Sequence, residues 1–164
     1  MALILSDATS SVLNWLQTST DAGAAAIRAL VYNGATNILE AGDVDQDELE
    51  AQYQARYLAG ATAKVLYVTV WDAGERVQPM YFEQPLALRV IDRGNGYRRI
   101  RAMRDVLKHA LSKPVFVFTD IDGRKQGVLR LEYTGRTGYR QAAERNIDFE
   151  AVTFVATIDF EEET

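Results

Sequence analysis

The residues with the most chemical potential are Asp120 and Asp122, which follow an apolar run in the segment VFVFTDIDG, 115–123. Carboxylate side chains can act as nucleophiles and as proton carriers. A second setting for chemistry is Arg93-Gly94-Asn95-Gly96-Tyr97-Arg98-Arg99, between a strand-like and a helix-like segment, where glycines could cradle a pyrophosphate. The third glycine position there is Arg99, and no second strand-helix-strand unit follows. His109 is the single histidine and shares its segment with Arg98, Arg101, Arg104 and Lys108, so a triad built on it is not the preferred reading. There is no cysteine, which excludes disulfides, thiolate metal sites and cysteine nucleophiles. P-loop spacing is absent, and 120–123 lacks the remainder of a calcium loop. The expectation is a protein with no catalytic residue, no metal and no cofactor.

The elements that would position these residues fall into two parts, 1–60 and 61–164, within one domain. At 164 residues, 48% hydrophobic and 25% charged, the chain is long enough for one core. The first part reads as helices. Ser6, Asp7 and Ser10 offer caps before Val12, Leu13 and Leu16, and Ile27, Leu30 and Val31 follow an alanine-rich stretch. A third helix is expected from Asp45 to Leu58, with Tyr53 and Tyr57 packing from one face. Strands are expected over 64–71 and 86–91, then a helix over 97–111 with Ile100, Met103, Leu107, Ala110 and Leu111 as its apolar stripe. A short strand at 115–118 and another at 128–134 make a hairpin. The last strand, 147–159, is about 43 Å long at 3.3 Å per residue, so it must bend or project beyond its sheet. Two long loops, 72–84 and 135–146, could reach partners.

Charge is segregated along the chain. The net value is 18 minus 23, or −5, against a surface devoted to gripping nucleic acid. Six acids lie in 40–50, eight bases in 89–113, and acids alone in 147–164. A repeating head-to-tail contact between copies could use that separation. The basic helix could instead touch phosphate. No apolar run is long enough to span a membrane as a helix, and 1–5 is too short for a secretory signal, so a soluble protein made in a cytoplasm is expected.

Two resemblances weigh on function. Four apolar residues before Asp-x-Asp-Gly are similar to the first motif of haloacid dehalogenase phosphatases, which would make Asp120 the nucleophile and Asp122 the acid/base. Arg124 stands where that family has threonine, and too little chain follows for three further motifs and a parallel sheet. A hairpin with a polar turn is the preferred reading.

The order KVLYVTVWD (64–72) with Ala73-Gly74-Glu75, LALRVIDR (86–93), GYRRIRAMRDVLKHAL (96–111), a hairpin and RNIDFEAVTFVATI (145–158) resembles the tail terminator, or tail-completion, proteins of long-tailed bacteriophages. VLNWL (12–16) and NGATNILEAG (33–42) look like the N-terminal region of such proteins from actinobacterial phages. The resemblance implies an α+β fold, helices on a mixed, mostly antiparallel sheet, with a long C-terminal strand. It implies a homohexameric ring in the virion that ends the tail tube, joins tail to neck and lets DNA pass without specific binding. The tail tube protein and a neck or head-completion protein would be its partners; another connector component of similar fold is the alternative. On this basis Arg98, Arg101, Arg104, Lys108, Phe149 and Phe154 are candidates for the subunit interface. Glu75, Arg76, Met80, Tyr81, Arg136, Tyr139 and Arg140 are candidate partner-loop residues, and Glu48, Glu161, Glu162 and Glu163 candidate lumen acids.

Overall fold

Side chains of successive strand residues point to opposite faces, so in the last segment the row Val152, Phe154, Ala156 and Ile158 demands apolar cover on one side, and Phe149 and Ala151 on the other. That segment becomes the inner strand of a mixed sheet. The computed structural model describes residues 8–40, 44–72, 76–77, 82–119, 124–144 and 146–160. Its elements run α1 (Ala8–Thr18), α2 (Ala22–Ala29), a 3₁₀ turn (Gly34–Asn37), β1 (Ile38–Glu40), α3 (Gln46–Leu58), β2 (Tyr67–Asp72) and β3 (Arg76–Val77). They continue with β4 (Phe82–Asp92), α4 (Tyr97–Leu111), β5 (Phe116–Thr119), β6 (Lys125–Arg136), β7 (Arg140–Ala142) and β8 (Ile147–Phe160). The sheet order is β1-β2-β4-β8-β6-β5, with β3 on β4 and β7 on β8. Among the described strand pairs only β1–β2 is parallel, and an isolated bridge between Val31 and Val65 runs the same way. The fold is therefore α+β, with a mostly antiparallel sheet and a long last strand, as expected.

Alternation decides which helix lies where. Val68, Val70, Leu86, Leu88, Val90, Val152, Phe154, Ala156 and Ile158 face one way and pack against Val12 and Leu16 of α1, Ile27 of α2, and Ile100, Met103, Leu107 and Leu111 of α4. Tyr67 and Ile91, of opposite parity, form a smaller cluster with Leu49 of α3, and Leu39, Tyr53 and Phe149 pack against it. The sheet thus lies between three helices and one.

Three expectations need correction. The segment 1–60 is not purely helical, because β1 extends the sheet by pairing Ile38–Glu40 with Val68–Val70. The described residues of loop 72–84 belong to the ladder: Arg76 and Val77 pair with Glu83 and Phe82, and β4 begins at Phe82. Loop 135–146 contains β7, paired with Ile147–Phe149. Of the two alternatives for the last strand, projection is removed, since each of its residues has a register partner on β4, β6 or β7. β4 is 11 residues long, so it runs beside β8 for most of its length. The hairpin reading of 115–134 holds, β5 pairing antiparallel with β6. That topology is not the parallel sheet a phosphatase would need. Asp120 and Asp122 lie outside the described residues.

Candidate functional site

Helix α4 presents the basic surface that sequence singled out. Its stripe of Ile100, Met103, Leu107 and Leu111 is fully buried, which turns Arg98 and Arg101 to solvent. Neither arginine makes an ion pair among the described residues. Arg104 and Lys108 behave differently, because they bend back onto their own chain. The Arg104 guanidinium pairs with Asp105 at 3.2 Å and with Glu150 of β8 at 3.4 Å. Burial works to lower its pKa, but the bonds to Asp105 and Glu150 outweigh that and raise it. Lys108 lies 4.6 Å over the Tyr133 ring.

Arg136 of the expected partner loop reaches the same carboxylate, donating to Glu150 Oε1 at 3.0 Å. Glu150 is 1% exposed and held between two arginines drawn from two different candidate groups. Tyr139 packs edge-on against Tyr97 with ring centroids 5.2 Å apart. Burial, then the nearby Asp148 carboxylate, raises the Tyr139 hydroxyl pKa above its ordinary value. Arg140 is exposed on β7. Phe154 is 1% exposed, edge-on to Tyr133 inside the core, so it has no surface to offer a neighbouring subunit. Its register explains the miss, since Phe154 shares the parity of Val152, Ala156 and Ile158. Phe149 is half-buried on the other face, where Arg89 lies 4.5 Å over Trp71 and 5.2 Å over Phe149. Glu48 is exposed near the start of α3. Glu75, Met80, Tyr81, Glu161, Glu162 and Glu163 lie outside the described residues, and for Arg76 only the backbone is described.

The most elaborate polar geometry lies where β4 ends. Asp92 is fully buried. Its Oδ1 accepts from Arg56 and from the Arg93 amide, and its Oδ2 from Arg99 Nε at 2.5 Å. Arg56 also donates to Lys64 O at 2.8 Å, and Arg93 pairs with Glu50 and donates to Asn146 O at 2.8 Å. This network ties α3, the end of β4, the start of α4 and the turn before β8 to one another. Gly96 is needed here because a Cβ would collide with the Asp92 carboxylate. Its amide donates to Asp148 Oδ2 at 2.6 Å, placing a carboxylate at the positive end of α4. Asp148 stands directly across the ladder from Asp92.

These contacts revise the meaning of the segregated charges. Asp148 and Glu150 belong to the sequence's acidic last segment, but both are buried and answered by donors of their own subunit. Glu50 closes on Arg93, and Asp45 caps α3. Much of the separation along the chain is thereby spent within the fold. A signal for the two buried acids was present: they share the parity of the apolar row from Val152 to Ile158. Asp92 stood out in the sequence only as one of two acids, with Asp105, among the eight bases of 89–113. No group of three or more histidine, aspartate or glutamate side chains suited to a metal occurs among the described residues. No described helix is long and apolar enough to cross a membrane.

No family model matches the chain, and no curated protein matches it. Solved structures do. A chain of the virion of a native gene transfer agent (GTA) particle superposes with a TM-score of 0.58 at 17% identity, over 92% of this chain and 93% of that one. A second solved chain gives a TM-score of 0.41 at 11% identity, over 73% of this chain and 99% of that one. A crystal structure from Akkermansia muciniphila gives 0.35 at 11%, over 99% and 83%. The last two scores are too low to bear on the fold. The first establishes that this arrangement of helices and sheet is one found in a chain of the gene transfer agent virion.

Proposed function

We propose that this chain is a structural protein of a phage or phage-like virion, and that it assembles as a ring at the head-to-tail junction. The observation that carries the proposal is the shared fold with the chain of the gene transfer agent virion, which extends over nearly the whole of both chains. The role is geometric. Copies arranged head to tail close into a ring when the rotation per subunit fits, and a ring can end a growing tube while leaving a passage for DNA. A hexamer on the tail tube, bound to a neck or head-completion protein on its other side, is the form this takes. The net charge of −5 suits a passage that DNA crosses without holding.

Two measurements test it. Native mass spectrometry of the free protein, and micrographs of particles that contain it, should show closed rings; a single chain in both would overturn the proposal. Micrographs of particles assembled without the protein should show overlong or headless tails. Tailless heads that have lost their DNA would replace termination with a neck role.

A further inference from the structure

Two of the most exposed large apolar side chains are adjacent, at the end of α3. Tyr57 is 71% and Leu58 83% exposed. Helix α3 is fastened by Leu49, Tyr53 and Arg56 on its inner face. Its outer stripe, spaced i, i+4, i+7, i+11, is Asp47, Ala51, Gln54 and Leu58, with Glu48 beside Asp47. All of these are exposed. The stripe is acidic at its start, small in the middle and apolar at its end.

Helix α4 has an outer stripe of the same spacing: Arg98, Ala102, Asp105 and His109, with Arg101 beside Ala102. It is basic at its start and small in the middle. At its end it borders an open groove of about 630 Å³ between α2 and α4, within the roughly 300–1,000 Å³ of cavities that take whole ligands. The groove floor is built of small residues: a Cβ on Gly23 would lie 3.0 Å from Ala110 Cβ, and Ala22 lines the opening. The two acids on its rim are engaged within the subunit, Asp105 with Arg104 and Asp21 as the cap of α2.

We infer that α3 of one copy lies along α4 of the next, with Tyr57 and Leu58 seated in the groove and Asp47 and Glu48 against Arg98 and Arg101. This rests on the ring reading above and supplies its contact. Leu58 is eleven residues beyond Asp47 and His109 eleven beyond Arg98, so both stripes run about 16 Å at 1.5 Å per residue. Aligned in parallel, they set acid on base, Ala51 on Ala102, and the apolar end on the groove. The alanines at mid-length let the helices approach. The helices pack on opposite faces of the sheet, so the contact joins two different surfaces and propagates head to tail. Arg98 and Arg101 are steering charges here, and Glu48 belongs to the contact rather than to the lumen.

The chain has no cysteine, which makes a cross-link unambiguous. Full-length protein carrying Leu58→Cys with Ala22→Cys should, on oxidation, give a covalent ladder extending past the dimer, both free and in assembled particles. Each single variant should stop at the dimer. A double variant that also stops there, while its rings remain visible in micrographs, overturns this contact and leaves the ring intact. Single chains in solution and no ring in particles overturn the ring and the contact together. Arg98→Glu with Arg101→Glu should weaken self-association of the cysteine-free protein roughly tenfold or more. Adding Asp47→Lys with Glu48→Lys to the same chain should restore it. All four positions are exposed, so circular dichroism should show an unchanged fold, and failure of the restoration also overturns the contact.

Discussion

Helices α3 and α4 sit on opposite faces of one sheet and are attached by different physics. Helix α4 buries a continuous apolar stripe in the main core and reaches Glu150 and Asp92 only from its flanks. Helix α3 buries Leu49 and the guanidinium of Arg56, and depends on Asp92 and the Lys64 carbonyl, which hold Arg56, and on Arg93, which pairs with its Glu50, to stay in place. One is held by area removed from water, the other by a few directional bonds around one carboxylate. An apolar attachment degrades by degrees when it is trimmed. The ionic one fails when its centre is removed, because the charges left behind remain buried.

The largest effect should therefore come from Asp92→Ala. It strands Arg56, 4% exposed, and Arg99 without their carboxylate, and the expected loss is about 3–5 kcal/mol, read from urea denaturation. Against a total stability of roughly 5–15 kcal/mol, that approaches loss of the fold. Leu107→Ala is the matching change on α4 and should cost about 2–5 kcal/mol through its cavity. Hydrogen exchange separates the two mechanisms. Asp92→Ala should speed exchange in α3 well beyond that in the middle of α4, whereas Leu107→Ala should loosen α1, α2 and α4 together. Equal acceleration of α3 and α4 in the Asp92 variant would show that the network does not fasten α3 in particular.

A smaller effect is expected where the two systems touch. Asp148 accepts from the Gly96 amide at 2.6 Å, at the start of α4. Asp148→Asn keeps the shape and removes the charge from the positive end of the helix dipole, with an expected loss of about 1 kcal/mol in thermal denaturation. A change near zero would assign the stability of that terminus to the apolar stripe alone.

The contrast between the helices also explains what the sequence made legible. The ends of α4 were readable to the residue, since Gly94-Asn95-Gly96, a clean stripe and Pro114 leave one solution. The cap Asp45 and the end of α3 at Leu58 were readable too. What holds α3 was not, because Arg56 and Asp92 are 36 positions apart and nothing in either neighbourhood marks them as partners. Strand β1 was missed because three residues paired in parallel show no period, and β3 and β7 because two or three paired residues inside a loop look like loop. The row Val152, Phe154, Ala156 and Ile158 is the more apolar of the two in β8, the other carrying Thr153 and Thr157, but each row holds one of the two phenylalanines, and which row lies under the three helices decides the fate of each. That choice put Phe154 inside and Phe149 at the margin. Of the candidate surface, Arg98 and Arg101 were legible as solvent-facing because a helix buries one stripe. The inward turn of Arg104 and Lys108 depends on Glu150 and Tyr133, from distant strands.

The smallest effect sharpens the comparison from the α3 side. Tyr67 is 1% exposed in the cluster under α3, and its hydroxyl has no hydrogen-bond partner among the described residues. Burial, then the negative charge of Glu48, pushes its pKa up to about 12. Its ordinary value is about 10, so in the unfolded chain the phenol loses its proton first. Between pH 10 and 12 the unfolded state binds fewer protons, and stability falls as pH rises. The contribution is complete below pH 10 and gone above about 12. Tyr67→Phe removes both the orphaned hydroxyl and this titration. It should raise stability at pH 7 by about 1 kcal/mol and flatten the decline above pH 10 in urea melts followed by fluorescence. A loss of stability at pH 7 would mean that the hydroxyl is satisfied in solution, and that α3 lies over the sheet with a polar bond beneath it as well as beside it.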